Sequence, residues 1–228
     1  MRSTLADRYA ALKERLAFRA DSTKTASYRV RWRAQGVEPH AELILHIDYG
    51  APARFHIVGK GPLDVPVFTM WVVDSQFVLL DHEQGRTRRG KLGEFWTDDV
   101  SANMPSLDMF LGLLSGGCGI RLPDSINADG QFVHGTSLSE ITLYDGSGQL
   151  LVADLQRGCV KRLAWSGDGG RIEGEVRFGE FTEEYPFWQP RAGYWNEPGS
   201  QGVYRWEVLA RKFNHELPER VFTPPAER

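Results

Sequence analysis

Between Ala26 and Leu80, apolar residues recur at every second position in one short segment after another. Strand side chains point alternately to opposite faces, so this period calls for strands that bury one face and wet the other. Ser27 to Ala34 sets Tyr28, Val30, Trp32 and Ala34 on one face and Arg29, Arg31 and Arg33 on the other. Ala41 to Tyr49 sets Ala41, Leu43, Leu45, Ile47 and Tyr49 against Glu42, His46 and Asp48. Tyr49-Gly50-Ala51-Pro52 turns the chain, after which Ala53, Phe55 and Ile57 oppose Arg54, His56 and Lys60. The pattern predicts one long antiparallel sheet with an apolar inside and a charged outside. Such a sheet, with few helices to cover it, suggests a chamber for an apolar guest.

The rest of the chain extends this plan. Val67 to Val73 is apolar on both faces, which predicts a central strand or one covered from outside. Gln76 to Leu80 and Thr87 to Leu92 read as further strands around the polar turn Asp81 to Gly85. An amphipathic stripe of Leu5, Tyr9, Leu12 and Leu16 predicts an opening helix that ends at Asp21-Ser22. A second helix is predicted over Ser106 to Ser115, opened by Pro105-Ser106 and stopped by Gly116-Gly117. Met109, Phe110, Leu111, Leu113 and Leu114 leave it little polar surface, so it must lie inside the protein or cover an apolar chamber. Strand signals resume at Glu140 to Asp145, Gln149 to Ala153, Cys159 to Trp165 and Arg171 to Phe178, with Ile172, Val176 and Phe178 on one face of the last. The proline- and aromatic-rich stretch Tyr185 to Pro198 carries no strand assignment, and Gly202 to Lys212 forms a final long strand carrying Trp206. No linker or repeat divides the 228 residues, so a single domain over 1–228 is expected.

Composition excludes several functions. A net charge of −3 gives no electrostatic case for nucleic acid, and clusters such as Arg86-Arg88-Arg89 are local. No stretch approaches the roughly 20 apolar residues that cross a bilayer as a helix. The two cysteines leave two readings open: Cys118 and Cys159 pair, closing a loop of about 40 residues for about 3–4 kcal/mol, or they are unrelated buried thiols. Cys118 lies in a Gly-rich helix stop, without a nucleophile motif, which argues against a thiol enzyme using His134. The six histidines are scattered. His46 and His56 can face each other on neighbouring strands, but on the charged side, which favours a solvated pair over a metal site. Gly167-Asp168-Gly169-Gly170 is a hairpin turn and not a phosphate loop, because lysine and the strand–helix context are missing. No catalytic residue, metal or cofactor is expected.

The order of elements, with a few short motifs, resembles the LolA/LolB-like group of bacterial lipoprotein carriers and receptors. Gly61-Pro62-Leu63, between two strands, looks like the Pro-Leu-Gly loop of LolB receptors, whose protruding leucine helps receive acyl chains. By that match the leucine is Leu63, and Asp64 stands where those proteins carry glycine. Phe222-Thr223-Pro224-Pro225 is similar to the ending of LolA carriers, and Asn214 to Pro218 resembles the stretch before the last strand of related lipoproteins. The lipid-modified N-terminal cysteine expected of a LolB-like protein is absent, which a trimmed or cysteine-substituted chain or a soluble LolA-like carrier would explain. The N-terminus also lacks the apolar core of a signal peptide, which carries no information if the chain was cut back to its mature part.

The resemblance implies a mainly β fold: one antiparallel sheet curved into an incomplete half-barrel, its concave face covered by an N-terminal helix and a central lid helix. It implies a periplasmic, outer-membrane-associated protein, peripheral or lipid-anchored, that takes lipoprotein acyl chains or another lipid as its partner. The alternative is a periplasmic sensor or interaction module on the same fold, binding another periplasmic or outer-membrane protein. No enzyme activity is implied. Burial gains roughly 0.8 kcal/mol per CH₂, so a chain of about fourteen carbons contributes about 10 kcal/mol before ordering costs. The expected lipid-binding residues are Leu63 together with Tyr28, Val30, Trp32, Leu43, Leu45, Ile47, Phe55, Ile57, Met70 and Trp206, with Met109, Phe110, Leu113 and Leu114 as the cover. For each wall residue the competing reading is ordinary core.

Overall fold

A computed structural model describes residues 4–34, 41–91, 133–136, 139–144, 149–166, 172–184, 187–197 and 202–225. The chain starts with α1 (Leu5–Ser22) and continues through β1 (Thr25–Ala34), β2 (Ala41–Asp48), β3 (Arg54–Lys60), β4 (Pro66–Val73), β5 (Gln76–Asp81) and β6 (Arg86–Lys91). After these come β7 (Val133–Thr136), β8 (Glu140–Tyr144), β9 (Gln149–Asp154), β10 (Cys159–Ser166), β11 (Ile172–Glu184), β12 (Phe187–Glu197) and β13 (Gly202–Phe213). Short 3-10 turns occupy Pro62–Asp64 and Glu219–Val221. Among the described strands, pairing follows the order β6-β5-β4-β3-β2-β1-β13-β12-β11-β10-β9-β8-β7, one open sheet with β6 and β7 at its two ends. The expected mainly β, antiparallel, unclosed sheet with an N-terminal helix is what forms. The central helix expected over 106–115, with Met109, Phe110, Leu113 and Leu114, lies outside the described residues, as do Cys118 and the side chains of Leu5 and Ala34.

The described residues cluster into two compact units, one drawn from Met1–Ser22 and Leu107–Arg205, the other from Thr23–Ser106 and Trp206–Arg228. In the first, α1 is opened by a reciprocal cap: Asp7 N donates to Thr4 Oγ1 at 3.1 Å and Thr4 N donates to Asp7 Oδ2 at 2.8 Å. Tyr9, Leu12 and Leu16 are buried, as the stripe predicts. They belong to a core that also holds Ile141, Leu143, Leu151, Val160, Val176 and Phe178. Ile172 departs from the expected face of β11 and is exposed, beyond an irregularity in the β10–β11 register at Trp165/Ser166.

In the second unit the register carries the alternation straight across the sheet. Tyr28 stands opposite Leu45, Leu45 opposite Ile57, Ile57 opposite Met70, and Met70 opposite Leu79. This row and its neighbours Val30, Leu43, Ile47, Val72 and Phe77 form the inner face, and all but Leu79 are buried. The outer face is charged, with Arg29 paired to Glu42 at 2.5 Å and Arg31 to Glu207 at 2.9 Å.

Two expectations need correction. Tyr185 to Pro198 contains a full strand, β12, which the sequence hid because proline cannot donate a ladder hydrogen bond. Pro190 stands opposite Phe181 in the β11–β12 ladder, next to Glu180, whose φ of +50° kinks β11. Among the described residues Asn214 to Pro218 precedes no strand: it follows β13 and leads into the Glu219–Val221 turn.

Gly59 is required where it stands. It lies opposite Phe68, and a Cβ there would come within 2.1 Å of the Phe68 ring. Gly59→Ala should therefore displace the ring and cost about 1–3 kcal/mol, read as a lower urea midpoint. The penalty should shrink when Phe68 is also cut to alanine.

Candidate functional site

The loop between β3 and β4 presents an apolar residue to solvent in a conformation leucine avoids. Leu63 and Asp64 both have positive φ, +63° and +64°. Left-handed backbone costs a non-glycine residue about 1–2 kcal/mol. Local contacts hold the turn: Gly61 N donates to Val65 O at 2.9 Å, and Lys60 Nζ pairs with Asp64 Oδ1 at 2.8 Å. That hydrogen bond keeps the Asp64 carboxyl below the usual carboxylate range. Asp64 thus occupies a conformation that glycine favours, consistent with the glycine of the resembling loop. Leu63 is 94% exposed, and Val65 beside it is exposed as well.

The expected wall residues fall together on the inner face of the second unit. Tyr28, Val30, Leu43, Leu45, Ile47, Ile57, Met70 and Trp206 are buried, whereas Trp32 and Phe55 are half-buried. Val72 and Phe77 belong to the same surface and escaped the sequence reading, although their even spacing from Met70 and Leu79 marks them. Cys159 in the first unit is a free, buried thiol pushed up to about 12, chiefly by burial and then by the Asp154 charge. A thiol so held is a poor nucleophile at neutral pH.

Part of the opposite face of the second unit is covered by the segment after β13. Asn214 N donates to Thr25 O at 2.8 Å, Thr25 Oγ1 donates to His215 O at 2.7 Å, and Trp71 Nε1 donates to Val221 O at 3.2 Å. Arg54 ties the segment down twice, pairing with Asp48 at 2.6 Å and Glu219 at 2.5 Å while lying 4.7 Å over the Phe222 ring. Phe222 is buried, which gives the motif Phe222-Thr223-Pro224-Pro225 a physical role as a plug. The both-faces-apolar β4 is thus a covered strand, with Thr69 buried and Trp71 half-buried.

His46 and His56 do face each other in the β2–β3 ladder and stack at 5.8 Å between ring centroids. Both are half-buried, and His56 also packs on Trp71 at 5.4 Å. Ser27 Oγ lies 2.7 Å from His46 Nδ1 and 3.0 Å from His215 Nε2. A hydroxyl has one proton, so Ser27 donates to one ring and accepts from the other when both imidazoles are neutral. Burial holds all three histidines below their ordinary 6.5; His215 adds to the shift of His46, Lys212 to that of His215, and His46 helps bring His56 to about 4.

A lowered histidine pKa favours the folded state while the ring is neutral. The stabilisation is complete above the ordinary 6.5 and is lost as pH falls from there toward about 4. The urea midpoint should decline across that window, and His56→Gln should flatten the decline.

No protein-family model and no curated protein matches the sequence. Solved structures do match in shape. A Vibrio parahaemolyticus domain named for outer membrane lipoprotein sorting superposes with a TM-score of 0.65 at 9% identity, covering 92% of this chain and 94% of that one. A DUF1329 family protein from Desulfovibrio piger gives 0.64 at 12% identity over 94% and 96%. A LolA superfamily protein from Nitrosomonas europaea gives 0.51 at 13% identity over 92% and 97%. Matches over nearly the whole of each chain at such low identity report architecture: this chain has a LolA/LolB-like fold.

Proposed function

We propose that the chain binds lipid, namely the acyl chains of lipoproteins or another amphiphile, in the periplasm at the outer membrane, as carrier or receptor and not as an enzyme. The observation that carries this reading is Leu63. In the free chain its side chain is 94% exposed and its backbone is left-handed, so it gains almost nothing by burial and costs about 1–2 kcal/mol. Transfer into an apolar phase returns about 1.5–3 kcal/mol for a leucine, enough to offset that cost. Contact with something apolar would therefore offset the cost of placing a leucine there. Behind it, Tyr28, Val30, Trp32, Leu43, Leu45, Ile47, Phe55, Ile57, Met70 and Trp206 would line the acyl chain, with Met109, Phe110, Leu113 and Leu114 as its cover. The fold it shares with a domain named for lipoprotein sorting supports the same reading.

The alternative, a sensor or interaction module on this fold, would have drawn support from an exposed outer face on β4. That face is occupied by the segment carrying Val221 and Phe222.

Leu63→Glu tests the proposal. An exposed substitution moves stability by no more than about 0.5 kcal/mol, so the variant should fold as before yet no longer accept lipoprotein from a loaded donor. Normal acceptance by the variant would refute the role given to Leu63.

A further inference from the structure

The segment after β13 is held to the outer face by a few separate contacts. Asn214 turns it back from the strand with a φ of +49°, and the Asn214 Oδ1 accepts from Lys24 N at 2.8 Å. Its backbone then bonds to Thr25, Glu219 meets Arg54, and Val221 O accepts from the Trp71 indole. One further contact, from His215 to Ser27, is made by an imidazole ring. Histidine is the side chain whose charge changes near neutrality.

That contact belongs to a crowded group. Ser27 Oγ is shared by His46 Nδ1 at 2.7 Å and His215 Nε2 at 3.0 Å, and His56 stacks on His46 with 8° between the ring planes. The charged groups around these rings are already matched to one another. Arg29 of β1 holds Glu42 of β2, Arg31 of β1 holds Glu207 of β13, and Lys60 of β3 holds Asp64. Asp48, Arg54 and Glu219 form one ion-paired set. β4 has no ionisable side chain, and the Thr69 hydroxyl on it is bonded to His82 at 2.8 Å. Lys212, near the end of β13, adds a positive charge beside His215, while Glu216 is exposed. Among the described residues no carboxylate pairs with His46, His56 or His215.

We propose that residues 214–222 form an acid-released clasp: protonation around the His46–Ser27–His215 bridge detaches the segment from the outer face and uncovers Trp71 and the seat of Phe222. Two charged imidazoles on one hydroxyl oppose each other in a half-buried site, with Lys212 adding to the repulsion. β1, β2 and β3 are tied together by ladder bonds along their length, so the segment is the part that gives way. Detachment returns the rings to water, where they bind protons more readily. Burial keeps all three below 6.5 in the closed state, so opening takes up protons and grows as pH falls below 6.5. The inference concerns the outer face alone and survives a failure of the acyl-chain reading.

The test is an NMR titration of the full chain from about pH 7.5 to about 4.5. The Trp71 indole N–H reports the clasp, and the amides of Leu45 and Ile57 report the ladder beneath it. The indole signal should move to the position of a free indole while the ladder signals hold. Within the window the open fraction should grow about tenfold per pH unit for each proton taken up. His215→Gln keeps a hydrogen-bonding side chain without the charge and should stay closed where the native chain has opened. Lys212→Gln, at an exposed position, should move the transition to lower pH. Indole and ladder signals changing together would mean ordinary unfolding and would overturn the proposal. So would an indole signal that stays fixed across the range, or a transition unaltered in both variants.

Discussion

Strand pairing leaves the side chains to decide which face of a sheet is wet, and in the second unit that decision is made five times in the same direction. Tyr28, Leu45, Ile57, Met70 and Leu79 stand in one cross-strand row from β1 to β5. Because the side-chain period is two, a slip of one residue in any pairing would send that strand's apolar set to the charged face. The Leu63 loop, the histidine cluster and the closing segment all take their positions from this register. His46 meets His56 because Leu45 meets Ile57.

The outer face shows how such a sheet manages its unpaired polar groups. Arg54 is the centre of that arrangement, joining a strand carboxylate, a carboxylate of the closing segment and the ring of Phe222. Ser27 plays a similar part for His46 and His215. The segment after β13 therefore adds polar contacts over a surface that would otherwise present Trp71 and two imidazoles to water. Those contacts are arranged around neutral rings, which makes the outer face the acid-sensitive side of the unit.

Much of this was legible in the sequence, for a definite reason. Strands that bury one face announce themselves by alternation, and β1 to β6 emerge within two residues of the expected limits. The failures are equally specific. β12 was hidden by Pro190, and the four-residue β7 is too short to carry a period. The covering of His46 and His56 could not be anticipated, since the closing segment has no periodicity and its partners lie far off in sequence. At the candidate lipid site, alternation named most of the wall, whereas Leu63 came from the resemblance and its conformation from the structure.

The central claim is that the inner face of this sheet takes an acyl chain and that the leucine at the loop tip delivers it. Native mass spectrometry of the chain mixed with a diacylated lipopeptide tests it most directly. A discrete one-to-one adduct, absent when the same peptide lacks its acyl groups, is the predicted result. A spectrum of bare chain at saturating lipopeptide would contradict it.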